Sequence, residues 1–324
     1  MENGIVIKII MKNKGISLKL FKEFYSLGFN FETIRYNYKK KATTKKFSEE
    51  NFDELLSKFL DGNDNFEVDA YNNGPCMISI RRTEQNCNLM ITIELNKFIV
   101  NRESIFYKTN EIFENSLGIV GYICAREDML WQNVEQLDYY KVHNKAYNER
   151  QLIPSPYFSD DKIIDIEQNP GHYHIVNNIW FGSAWAMWFG KEYYNYIPLK
   201  RIESFNMAYE NIPLKGSARR VLLYKDVLSY EDNDNRYIQQ KFKNVTGMDE
   251  VAHILMNKPK ENIDSTIEII EGVFEHGGTK QIKSYIDNDN SLIEKSKASK
   301  VEICEMVLND NKVWETVWRE VKDI

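Results

Sequence analysis

Residues 66–95 read FEVDAYNNGPCMISIRRTEQNCNLMITIEL, and this stretch decides the fold class. Three strand-length runs, Phe66–Tyr71, Met77–Arg82 and Leu89–Leu95, follow one another with only turn residues between them. Asn73-Gly74-Pro75 and Asn86-Cys87-Asn88 supply the turn chemistry. In the third run Leu89, Ile91, Ile93 and Leu95 fall at every second position and so share one face of a strand. Connections this short join antiparallel neighbours, because a parallel pair needs a crossover of a dozen or more residues. The stretch predicts an antiparallel meander.

Upstream, the apolar, β-branched run Gly4–Met11 predicts a buried strand. A helix is expected from Ser17, its cap, with Leu20, Phe24 and Leu27 at helical spacing and Gly28 as its left-handed end. A second helix is capped by Ser48, carries Phe52, Leu55, Leu56, Phe59 and Leu60 on one stripe, and stops at Asp61-Gly62. Downstream, Asn101 is placed as the cap of a further helix, followed by a strand at Gly118–Cys124 and a helix from Glu127 to about His143. Pro154 and Pro156 lie in an aperiodic stretch, 147–161, which sets the expected boundary between domains 1–150 and 151–324. The second half is predicted to hold a strand at His172–Trp180, a short aromatic helix at Ser183–Phe189 and a strand at Arg219–Tyr224. Helices are expected over 235–243, 249–256, 265–286 and 291–321, with Pro259 opening a helical segment over 259–324. The predicted class is therefore α+β: antiparallel sheets packed with helices in two domains, with a helical C-terminal end.

At 324 residues the chain is long enough to bury two proper cores without metals or disulfides. No apolar run approaches the roughly 20 residues that a spanning helix needs. Glu2 and Lys8 interrupt the apolar start, so neither a secretion signal nor a membrane span is expected. Cys76, Cys87, Cys124 and Cys304 lack the short spacings of a zinc knuckle or redox pair, which suits reduced thiols and a cytoplasmic location. The net charge of −6 is uneven: residues 1–60 carry 12 basic and 7 acidic groups, leaving −11 on the remainder. That larger part repels nucleic acid and attracts a basic partner.

Four constellations carry candidate chemistry. His172 and His174 are two residues apart; on a strand their imidazoles share a face, and Glu167 or Asp165 could add a carboxylate to a metal site. The bland reading is a half-exposed polar strand. The aromatic tract with Trp180, Trp185 and Trp188 could line a ligand or protein-binding surface, or it could be core, as an element apolar all round normally is. Lys39, Lys40, Lys41, Lys45 and Lys46 stand beside Tyr36 and Tyr38 and could grip phosphates, or they could be a solvated edge strand. Glu231, Asp232 and Asp234 form an acidic patch suited to a basic partner or to the start of a following helix. No nucleophile elbow, phosphate loop or dinucleotide fingerprint is present.

The segment Gly182–Gly190, the strand and turn of Val221–Tyr230, and Arg236-Tyr237-Ile238-Gln239-Gln240-Lys241-Phe242 together resemble some immunity proteins of bacterial polymorphic toxin systems. The resemblance covers about a third of the chain and implies a cytoplasmic protein that neutralises a toxin by covering its active surface; no cofactor is expected. With no catalytic signature, the expectation is a non-catalytic binding protein that meets a basic toxin domain through acidic residues. The alternatives are a metal- or histidine-dependent enzyme acting on a nucleotide or nucleic acid, and a phage or host-defence accessory protein.

Overall fold

The structure, a computed structural model, describes residues 4–12, 18–27, 31–38, 41–60, 66–74, 76–83, 85–156, 161–257, 266–309 and 313–324. Ser17, Gly28, Lys39, Lys40, Asp61-Gly62, Pro75 and Pro259, each given a role above, lie outside the described residues.

The N-terminal part runs β1 (Gly4–Lys12), α1 (Leu18–Tyr25), β2 (Thr33–Tyr38), β3 (Lys41–Lys46), α2 (Glu49–Leu60), β4 (Phe66–Tyr71), β5 (Met77–Arg82), β6 (Asn86–Glu94), α3 (Leu95–Glu114) and β7 (Gly118–Ala125). The expected meander is there: β4 pairs with β5 and β5 with β6, both antiparallel. Ser48 Oγ accepts from the Asn51 amide at 3.2 Å at the start of α2, as its position implies. Asn101 caps nothing. Helix α3 starts six residues earlier, and the Asn101 side chain donates to the Lys97 carbonyl at 2.8 Å.

Next come α4 (Arg126–Asn133), α5 (Leu137–Val142), β8 (Leu152–Pro154), β9 (Lys162–Ile164), β10 (His174–Val176), β11 (Ile179–Phe181), β12 (Ala186–Phe189), α6 (Leu199–Glu203), β13 (Glu210–Pro213), β14 (Arg219–Leu222), α7 (Asn233–Thr246) and α8 (Met248–Met256). The helix expected over 127–143 is broken at Val134–Gln136 into α4 and α5. Ten of these strands form one antiparallel sheet in the order β13-β14-β12-β7-β1-β6-β5-β4-β2-β3, while β8–β9 and β10–β11 are separate two-stranded pairs. Because β12 pairs with β7, this sheet runs straight across the boundary expected at 150. Chain packing instead gives two compact units, 1–256 and 257–324, and the described part of the proline-bearing stretch lies within the first, where it carries the helical turn Glu149–Gln151 and β8, which pairs with β9 just beyond it.

The aromatic tract is strand, not helix. Met187 and Trp188 face opposite sides of a sheet covered on both. Trp188 packs edge-on against Phe106 of α3 at 5.3 Å, while Trp180 of β11 stacks on Tyr122 of β7 at 4.5 Å. A strand buried on both faces shows no alternation, so a short apolar run cannot be told from a buried helix by period. Trp180, Trp185 and Trp188 are fully buried, which makes them core and removes them as a binding surface.

The second unit corrects the helical end expected over 259–324. It is an antiparallel sheet in the order β15 (Ile267–Glu271), β16 (Lys280–Ile286), β17 (Lys300–Leu308), β18 (Trp314–Asp323). Its Ile, Val and Thr content favours strand, since branching at Cβ restricts the side chain on a helix. Asn290, at φ 60, turns the chain after β16.

Candidate metal centre

Three of the chain's five histidines meet one carboxylate in the first unit. Glu167 lies in the single helical turn Ile166–Gln168. It is followed by Asn169-Pro170-Gly171-His172, a turn closed by the His172 amide donating to the Asn169 carbonyl at 3.0 Å. Asn first and Pro second are the residues that such a turn favours. Gly171 is required because a Cβ there would sit 2.7 Å from the Gln132 side chain, which accepts the Gly171 amide.

His174 opens β10. The strand expected over 172–180 is in fact a hairpin: His174 pairs with Phe181, and Asn177 and Asn178, both at positive φ (53° and 60°), make the two-residue turn. Asparagine tolerates that conformation better than other residues with a Cβ, and a turn with both central residues there matches strand twist.

His253 and Asp249 come from α8, four residues apart on one helix face. Gly247, left-handed at φ 71, ends α7 and permits α8 to begin at once. This abrupt turn also brings in Lys243, a fully buried ammonium that donates to the His172 carbonyl at 3.2 Å and pairs with Asp249 Oδ2 at 3.0 Å.

The distances converge on Glu167. His174 Nε2 is 3.4 Å and His253 Nε2 is 3.5 Å from Glu167 Oε2, and His172 Nε2 is 3.5 Å from Oε1. The ligand atoms of Glu167, His174 and His253 all lie within 4.8 Å of one another. Four donors arranged tetrahedrally about zinc at about 2.0–2.1 Å are separated by roughly 3.3–3.4 Å, close to these spacings.

Electrostatics sharpen the picture. Burial pulls the His172 imidazole down to about 4, against the opposing pull of the Glu167 carboxylate, and burial likewise lowers His174. Burial thus favours the neutral form of both rings over the ion pair with Glu167. Asn133 Oδ1 lies 3.0 Å from His172 Nδ1, and the Asn133 amide nitrogen donates to the Met129 carbonyl. The facing oxygen makes Nδ1 the protonated nitrogen and leaves the Nε2 lone pair aimed at the cluster. His174 Nε2 and Asp249 Oδ1, 3.8 Å apart, are both buried without a hydrogen bond. Buried polar atoms left without a partner are costly, and a cation held among His172 Nε2, His174 Nε2 and Asp249 Oδ1 would satisfy them.

The structure thus joins the sequence candidates Glu167, His172 and His174, and adds His253 and Asp249, which the sequence reading missed. The signal available was their four-residue spacing in a stretch already read as helix. The other candidates lie apart. Lys45 and Lys46 are exposed on edge strand β3, whose Lys41 has only its backbone described. Glu231, Asp232 and Asp234 are exposed around the start of α7, with Glu231 paired to Lys145 at 2.6 Å.

No helix among the described residues is long and apolar enough to cross a membrane. No family model matches the chain, and no curated protein matches it. Among solved structures, the Pseudomonas aeruginosa T6SS protein PA0821 is similar over 79% of this chain and 89% of that one, with a TM-score of 0.42 and 9% identity. That likeness is too loose to carry a function across.

Proposed function

We propose that the chain is a metal-binding protein whose Glu167, His174 and His253 hold a zinc-class divalent ion, with His172 as a fourth ligand or orienting neighbour. The observation that supports this reading best is the convergence of ligand atoms: His174 Nε2, buried and without a hydrogen bond, faces Glu167 Oε2 at 3.4 Å beside His253 Nε2. Imidazole with carboxylate suits zinc, nickel or copper, whereas calcium and magnesium prefer oxygen alone. Such an ion would clasp the Glu167 turn and the β10–β11 hairpin to α8. Glu167 and His253 are 44% and 48% exposed, so solvent reaches one side of the cluster. A water bound there would be acidified, and Asp249 Oδ1 is the nearby base that could take its proton.

The test is equilibrium dialysis against micromolar zinc followed by metal analysis. One equivalent is expected in the wild type, with loss in Glu167→Gln and His174→Ala. Less than a tenth of an equivalent in a folded wild type would reject the proposal.

A second reading, an inhibitory protein of the immunity type, is supported by the −11 charge over 61–324 and by the exposed Glu231, Asp232 and Asp234. In that case the ion would be structural. Capture of one basic partner, lost on charge reversal of those three residues, is its expected result.

A further inference from the structure

The face of the large sheet opposite α3 carries polar side chains where a core strand would carry apolar ones. Lys8 in β1 stands directly across from Met90 in β6, and Met90 stands across from Ser79 in β5. One step along, Ile10, Asn88, Arg81 and Glu67 form the adjacent row. These residues, with Ile175 and Asn178 of the β10–β11 hairpin, line a cavity of about 310 Å³, at the small end of ligand pockets.

The charges inside do not cancel. Glu67 is ion-paired with Arg81 and accepts from the Asn37 side-chain amide at 3.2 Å, so that acid and that base neutralise each other. Lys8, partly buried, makes no hydrogen bond or ion pair to any described residue. Burial, and then the nearby Arg81 guanidinium, lower its affinity for the proton, which marks surroundings that lack a counter-charge. The Ser79 hydroxyl, two strands or about 9.6 Å away along the sheet, also has no hydrogen-bond partner among the described residues. Ile10, Met90 and Ile175 supply apolar walls beside these two polar groups.

We propose that this cavity binds a small organic anion, its head group on the Lys8 ammonium and the Ser79 hydroxyl and its apolar body against Ile10, Met90 and Ile175. Neither group belongs to the metal cluster. Adjacent residues on a strand point to opposite sides, so β10 presents His174 to the cluster and Ile175 to this cavity.

Two probes separate the head-group contribution from the walls: benzoate, with an apolar body, and inorganic phosphate, without one. Both are titrated by calorimetry into metal-free protein at low salt, which keeps the metal site out of the readout. Benzoate is expected to bind at least tenfold more tightly than phosphate. Lys8→Met should weaken it at least tenfold while leaving the melting temperature unchanged or higher, because a partly buried charge is removed. Ile175→Glu, at a position 49% exposed and so tolerant of change, should abolish benzoate binding by placing a like charge in the wall. Absence of benzoate binding at 10 mM, equal affinity for the two probes, or wild-type affinity in both variants would each overturn the proposal.

Discussion

Replacing His253 with alanine should separate metal binding from folding. The His253 ring is about half exposed, and its polar and ring contacts among the described residues are with Glu167 and the His174 ring, whose centroid is 4.9 Å away. Truncating such a side chain changes stability by about 0.5 kcal/mol or less in metal-free protein. With zinc the two proteins diverge. For a site with a dissociation constant of about 1 μM, about 100 μM free zinc stabilises the folded unit by about 2.7 kcal/mol. Unfolding entropy scales at roughly 2.1 cal/mol/K per residue, or about 0.54 kcal/mol/K for the first unit, so the melting temperature should rise by about 5 °C. Losing one of three ligands weakens binding by about 100-fold, taking second-shell losses of 10–100-fold as a lower guide. The same zinc concentration then gives His253→Ala only about 0.4 kcal/mol, a rise of about 1 °C. Differential scanning fluorimetry with a zinc titration reads both values. Equal shifts in the two proteins would refute the assignment of His253, and no shift in the wild type would refute the site.

Acid should destabilise the metal-free protein through His172. Its folded pKa of about 4 lies below the value near 6.5 expected when unfolded, so the unfolded chain binds the proton first. That stability is intact above about pH 6.5 and lost as pH falls through 4; urea melts should show a loss of about 2 kcal/mol, allowing for solvent screening, that His172→Gln removes. Arg236→Ala should cost about 3–5 kcal/mol, since it strands the buried Asp128 carboxylate that Arg236 holds at 2.6 Å. Adding Asp128→Leu should recover much of this in denaturant melts, and failure to recover would place the cost elsewhere. Trp188→Ala should lose about 3–5 kcal/mol, because the indole is fully buried and donates to Asn110 Oδ1 at 2.7 Å. A loss under 1 kcal/mol would contradict its place in the core.

Elements with one wet and one dry face were legible from residue order alone. The alternation of β6, the helix α2 and its Ser48 cap each follow from interactions within a few residues, so local pattern suffices for them. Asn177-Asn178 belongs to the same class, since its turn chemistry is local, although a flanking apolar run hides it. The Ala186–Phe189 strand is different. Its identity depends on cover from α3 on one side and the β10–β11 hairpin on the other, and that cover comes from distant parts of the chain. The last unit depended on pairing too: β15 to β18 are charged, half-exposed segments whose spacing also fits a helix, and only partner strands make the extended form the stable one. The histidine cluster lies furthest from local pattern. Residue order placed Glu167, His172 and His174 within eight positions, yet a metal needs its donors within a few ångströms of one point. The last donor arrives from 79 residues beyond His174, carried there by the left-handed turn at Gly247.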